Sequence, residues 1–334
     1  MSGHIQTGNI ETHDIEELNY SVDPWQLRMQ QMSAGPFTAR FDVFQINGIL
    51  LTRERWSQSV IAKGATPKGY FVLACSSTRK PFLYCGREIK PGCLCSGFDA
   101  TEIDFQTPVE EDHWVILVPK NLLLRYLGEE LAVNVLRGQR VIHTGRRLTH
   151  RLFLVVDRAM RTFRAGDRIQ ADDLLAQTVE AELMETVMEI LLGGGTDAGC
   201  GTPRKRFLAC RRAILHAENL DQPLRAPQLA AAAGVSQRML EMGFREMLGI
   251  SPQKFLRWSR LNNLRRDLHA AHSGKETVTD MASRWGFQEL GRTAVEYKQL
   301  FGESPSQTLS LEHHPHSLRL VDALRTTPST ASSA

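Results

Sequence analysis

The chain is poor in the features that carry chemistry by themselves. None of its 334 positions belongs to a run of about 18 apolar residues, which excludes a hydrophobic membrane-spanning helix. The opening stretch MSGHIQTGNIETHDIEE is polar and acidic, without the apolar core of a secretion signal, so cytoplasmic residence is expected. Six cysteines, Cys75, Cys85, Cys93, Cys95, Cys200 and Cys210, sit at no regular spacing. In a cytosolic chain they are expected to be reduced rather than to form a disulfide scaffold. No zinc knuckle occurs, since Cys93 and Cys95 are separated by one residue only. The glycine run GGGTDAG at Gly193 has no strand before it and no Lys-Ser/Thr after it, so it is not a phosphate loop, and no Ser/His/Asp arrangement stands out. Neither a metal, a cofactor nor an enzymatic activity is expected.

What is present is length, charge asymmetry and a repeat. A chain of 334 residues with 42% hydrophobic residues exceeds one comfortable core and predicts several domains. Residues 1–202 hold 21 Lys and Arg against 25 Asp and Glu, a net of −4, whereas residues 203–312 hold 17 against 11, a net of +6. A basic module joined to an acidic one points to a polyanion partner for the basic half.

Residues 1–36 read as a polar N-terminal arm with one short helix. From Phe37 the pattern is β: ARFDVFQI, Asn47-Gly48 and ILLTRERW form a hairpin signal, because Asn-Gly accepts the positive φ angles of a type I′ turn. SVIA, YFVLACS, FLYCGREI, CLCSGF, EIDFQT and HWVILVP follow as further strands of a small sandwich or barrel. Beyond Pro119 the period lengthens to that of helices. In the last of these, Leu175, Val179, Leu183, Val187 and Leu191 make one apolar stripe, suited either to covering the barrel or to forming a homodimer through helix 171–192. Residues 37–192 are thus an effector-sensing and dimerisation candidate, 193–206 a linker, 207–311 a basic helical domain and 312–334 a disordered tail.

Within the basic domain, LAAAAGVSQRMLEMGFREMLGISP returns as MASRWGFQELGRTAVEYKQLFGESP. Phe244, Gly249 and Pro252 have counterparts 53 residues on, at Tyr297, Gly302 and Pro305, while Gly234 matches Gly286 after 52. Each copy reads as helix, tight turn, helix, a unit that presents one exposed helix to a DNA groove. In the first, Leu240, Phe244 and Leu248 point inward and Gln237, Arg238, Glu241, Met242 and Arg245 outward. In the second, Tyr297 and Phe301 point inward, and Leu290, Gly291, Arg292, Val295 and Glu296 outward. A helix over QKFLRWSRLNNLRRDLHAA would span roughly 27 Å at 1.5 Å per residue and set the distance between the two units. Arg257, Arg260, Arg265, Arg292 and Lys298 are candidate phosphate contacts.

The ordered combination of LAAAAGVSQRMLEMGFREMLGISPQKFLRWSRLNNLRRDL and MASRWGFQELGRTAVEYKQLFGESPSQTL resembles the DNA-binding domain of AraC/XylS-type transcription regulators over residues 207–311. The resemblance implies a seven-helix, two-lobed domain that binds double-stranded promoter DNA and activates transcription through RNA polymerase. It assigns the base-facing slots to Arg238, Glu241 and Met242 in the first unit and to Gly291, Arg292 and Val295 in the second. Met242 departs from the arginine found in many members, which weakens base-specific contact there. Thr293 stands where a large apolar residue is usual and implies softer packing of the second lobe, at about 1 to 3 kcal/mol unless its hydroxyl is bonded.

The same family implies an N-terminal domain that binds a small-molecule effector, and residues 37–192 fit it in size and order, with a diffuse similarity to regulators of ethanolamine-utilisation operons. Trp56, Tyr70, Phe98 and Trp114 are candidate effector contacts, against the alternative that they fill the core. Some relatives join this DNA-binding module to a methyl-accepting cysteine domain, so Cys75, Cys85, Cys93 and Cys95 keep a repair or metal/redox-sensing reading open. The expected fold is α+β: a β-rich barrel or sandwich with helices, then an all-α domain with two helix-turn-helix units joined by a long helix.

Overall fold

The computed structural model describes residues 5–21, 25–78, 80, 82–128, 136, 141–164, 173–193, 204–218, 224–271 and 276–311. The linker centre and the C-terminal tail predicted from sequence lie outside these residues. In the N-terminal half, strands β1 (Ile5–Thr12), β3 (Ala39–Ile46), β4 (Ile49–Trp56), β6 (Tyr70–Ser76), β9 (Cys93–Phe98), β11 (Glu111–Pro119) and β12 (Val141–His143) form one sheet in the order β1-β3-β4-β11-β6-β9-β12. A second sheet runs β2-β5-β10-β7-β8, with β2 (Gln26–Gln31), β5 (Val60–Ala65), β7 (Phe82–Tyr84), β8 (Arg87–Ile89) and β10 (Glu102–Gln106). The recorded pairings in both sheets are antiparallel, and the result is an open sandwich rather than a closed barrel.

The hairpin predicted at Asn47-Gly48 joins β3 to β4, with φ of 45° and 88° at the two turn residues. Residues 5–31, by contrast, are no arm. β1 adds to the edge of one sheet through β3, and β2 to the edge of the other through β5, with helix α1 (Ile15–Ser21) between them in sequence. Edge strands such as IQTGNIET and QLRMQQ are half polar, so they lack the apolar signature by which inner strands are recognised.

Alternation along β11 divides two cores. Val115 and Leu117 face the second sheet, while Trp114, Ile116 and Val118 face a helical layer made by α2 (Lys120–Leu127), α3 (Gly145–Arg164) and α4 (Asp173–Gly193). The α4 stripe named above is committed to that layer. Leu183, Val187 and Leu191 are buried in the same chain's core, and Val179 packs on it, which leaves Leu174 and Leu192 as the exposed large apolar residues of this helix.

The C-terminal half contains seven helices among the described residues: α5 (Lys205–Glu218), α6 (Ala226–Ala233), α7 (Gln237–Leu248), α8 (Pro252–Ala270), α9 (Val278–Arg284), α10 (Leu290–Phe301) and α11 (Pro305–Ser310). Two lobes flank α8. Their shared core includes Leu240, Phe244, Phe255, Leu261, Leu264, Tyr297 and Leu300, and Met32 and Ile61 of the N-terminal half reach into it.

The two halves meet along α8 in a polar seam. Backbone Gln31 N donates to Asn262 Oδ1 at 2.8 Å, and Asn262 Nδ2 returns a bond to Gln31 O at 3.0 Å, so this asparagine satisfies the free edge of β2. Beside it, Arg265 pairs with Asp14 at 3.1 Å and with Glu303 at 2.6 Å, and His269 pairs with Asp14 at 2.8 Å. Burial works to raise the Asp14 pKa, but the His269 hydrogen bond and the Arg265 charge outweigh it and hold the carboxyl far below its usual range.

Candidate nucleic-acid interface

Each helix-turn-helix unit is built by local chemistry. In the first, Gly234 ends α6 in the left-handed region at φ 67°, and Ser236 caps α7 by accepting from Met239 N at 3.3 Å. Gly243 on the inner face of α7 lies where a Cβ would come 2.4 Å from Cys210 Sγ, so glycine is what lets α5 and α7 cross closely. In the second unit Gly286 holds the matching position at φ 73°, but α10 begins after Glu289 without a side-chain cap. Three residues separate the helices of the first unit, 234–236, and five those of the second, 285–289.

The outward faces of α7 and α10 carry the residues expected there. Gln237, Arg238, Met242 and Arg245 are exposed and Glu241 is half-buried, with Arg245 paired to it at 3.0 Å. Leu290, Gly291, Arg292, Val295 and Lys298 are likewise exposed. Arg292 lies 3.0 Å from Glu296, which also accepts from Arg257, so part of the basic charge of the second unit is neutralised within the protein. The first unit has additional cations that sequence reasoning left in the linker. Arg204, Lys205 and Arg206 border a surface cleft with Ser236, Arg238, Met239 and Met242. Arg204 and Arg206 are engaged by Glu246, while Lys205 is exposed. The basic run was the available signal: Arg204 precedes α5 and Lys205 and Arg206 open it, beside α7.

The connector contributes less than its composition suggests. Arg265 is buried between carboxylates, Arg266 faces Glu16 at 3.5 Å, and Arg260 is half-buried with its guanidinium 5.4 Å from the Phe287 ring centroid. Arg265 therefore cannot serve as a phosphate contact in this arrangement, and α8 acts as the spine that joins the two halves.

Thr293 is buried, as the repeat required, but the lobe around it is not softened. Its hydroxyl donates to Glu289 O at 2.9 Å, and the slot is filled by a satisfied side chain. Thr293→Phe is accordingly expected to lower the unfolding free energy by about 1 to 3 kcal/mol through overpacking. Thermal melting checks this, and a raised midpoint would contradict it.

The four aromatic effector candidates separate. Trp56 lines a cavity between the two sheets, whereas Trp114 belongs to the helical layer, with Phe153 5.3 Å away edge to face. Phe98 packs on that same layer and Tyr70 is half-buried at the margin of the sandwich core. Period-two alternation turns Trp114 away from the cavity while its neighbours His113 and Val115 line it.

The cysteines are not arranged for catalysis. Cys75, Cys85, Cys95 and Cys210 are free, while Cys93 is disulfide-bonded, which corrects the expectation that all are reduced. Burial pushes the thiols of Cys75 and Cys210 up to about 12, far from a reactive thiolate. Among the described residues no group of three or more His, Cys, Asp and Glu side chains could hold a metal ion, and no helix is long and apolar enough to cross a membrane.

Comparison with known proteins agrees with this geometry. Residues 229–310 match the model of a helix-turn-helix domain family. The chain is 48% identical over 88 residues to the probable thc operon regulatory protein of Rhodococcus erythropolis, covering 26% of each chain. It is 34% identical over 106 residues to XylDLEGF operon transcriptional activator 2 of Pseudomonas putida, covering 32% of this chain and 65% of that one. The chain thus spans about a quarter of the first relative's length and just under two thirds of the second's. A solved AraC-like transcriptional activator, CuxR, aligns over 82% of this chain and 99% of its own, at 13% identity and a TM-score of 0.43. Residues 229–310 thus form a helix-turn-helix domain that is similar in sequence to those of the operon regulators named above.

Proposed function

We propose that the protein is a transcription regulator that binds double-stranded promoter DNA through α7 and α10 and responds to a small-molecule effector held in its N-terminal sandwich. The observation that carries this reading is the pair of exposed helices on one spine, each with its aromatic residues turned in and a mixed face of cationic, polar and aliphatic side chains turned out. Activation through RNA polymerase accords with the P. putida relative, which is named as an operon transcriptional activator. The repair alternative draws no support from Cys75 and Cys95, whose thiols are buried and raised in pKa.

The first unit should dominate base readout. It presents Gln237, Arg238 and Met239 on the capped first turn of α7, whereas the corresponding turn of α10 offers Leu290, Gly291 and Arg292. Arg238→Ala is expected to cost about 1 to 3 kcal/mol at its cognate site and to relax preference at one base step. Binding-site selection from random duplexes measures this, and identical preference profiles for wild type and variant would contradict it.

A further inference from the structure

The cavity between the sheets is walled mainly by aromatic and aliphatic side chains. Phe82 and Phe105 stack at 6.1 Å, Phe105 lies 6.2 Å from Trp56, and Trp56 meets the His113 ring edge to face at 5.0 Å. Two buried polar atoms of the lining lack a protein partner, Trp56 Nε1 and His113 Nδ1. Glu54 and Tyr84 of the lining are committed. Glu54 accepts from Thr52 Oγ1 at 2.9 Å and faces His113 Nε2 at 3.2 Å, and Tyr84 donates to Ser96 O at 2.9 Å.

An indole N–H and an imidazole nitrogen left unmatched inside an apolar chamber constitute a recognition element, because each costs free energy until a ligand satisfies it. Indole can only donate, so the ligand must present an acceptor to it. With Nε2 on Glu54, and with the cost of burial outweighed by the carboxylates of Glu54 and Glu111, which raise the imidazole's pKa, Nδ1–H is a second donor toward the same ligand. A ligand carboxylate would be buried near Glu54, with Glu111 Oε1 only 3.9 Å from His113 Nδ1, and would meet like charge. An ammonium would face the indole N–H and find both oxygens of Glu54 already engaged.

We propose that this cavity binds a small uncharged molecule with an apolar body and a single amide-like carbonyl, whose oxygen accepts from Trp56 Nε1 and from His113 Nδ1. This rests on the effector-responsive reading above and names the chemical class of that effector.

Four probes of similar shape test it on the full-length protein: benzamide, benzoate, benzylamine and toluene, each titrated against intrinsic tryptophan fluorescence and thermal melting. Benzamide is expected to bind saturably and to raise the melting midpoint, with each of the other three at least about tenfold weaker, the loss expected for one unmatched buried hydrogen bond. Trp56→Phe, which keeps the ring and removes the N–H, should bring benzamide down to the level of toluene. The toluene comparison uses the wild-type protein, so it stands even if that variant fails to fold. Equal binding of toluene overturns the carbonyl contact, and tighter binding of benzoate or benzylamine overturns the assigned charge. Binding of none of the four overturns the assignment of the cavity to this class. DNA binding, measured separately on the same preparation, would still report whether the regulator reading holds.

Discussion

Replacement of Arg265 by methionine is expected to lower the unfolding free energy by about 3 to 5 kcal/mol. The guanidinium is 5% exposed and lies between Asp14 of the N-terminal half and Glu303 of the second lobe, with the Phe301 ring centroid 4.8 Å away. Its removal takes the arginine charge from both carboxylates, leaving Asp14 with His269 and the Glu16 N–H and Glu303 with the Thr308 hydroxyl. Urea unfolding of Arg265→Met, Asp14→Asn and the double variant checks this, because residues in direct contact are not additive. The double variant should lose less than the sum of the singles. A loss under about 1 kcal/mol for Arg265→Met would show that the pair is solvated like a surface ion pair.

Phe244→Ala is expected to cost a comparable amount, about 3 to 5 kcal/mol, by opening a cavity beneath the first recognition helix. Phe244 is fully buried and its ring centroid lies 5.1 Å from that of Phe255, so it ties α7 to the spine. The same change should abolish DNA binding at temperatures where the wild type still binds, since Arg238 and Met242 on the opposite face are positioned by this packing. Chemical unfolding and a gel-shift titration measure the two effects. Wild-type affinity together with a loss below about 1 kcal/mol would contradict this role.

The parts of the fold legible in the sequence are those set by local chemistry. Asn47-Gly48 announced its hairpin because the turn demands positive φ, and the helix-turn-helix units announced themselves because a glycine, a cap and an apolar i, i+4 row recur in order. The resemblance places Thr293 in a core slot, but its hydroxyl bond to Glu289 depends on helix geometry, which the sequence does not display. β1 and β2 escaped notice because edge strands need no apolar face on both sides.

The seam between the halves was illegible for a different reason. Asp14 and Arg265 stand 251 residues apart, and nothing in the composition of α8 distinguishes an arginine aimed at phosphate from one aimed at a carboxylate of another domain. The effector candidates show the same limit. Trp56 and Trp114 are equally aromatic in the sequence, and only strand register sends one into the cavity and the other beneath α3.

The dependence of DNA binding on salt is the most direct measure of whether the C-terminal module engages a phosphate backbone. Lys205, Arg238, Arg292 and Lys298 are exposed on or beside the two recognition helices. Neutralisation of about four phosphates predicts a slope of roughly −3.6 in a plot of log affinity against log salt for a labelled duplex. A slope near zero would mean that these helices do not meet DNA.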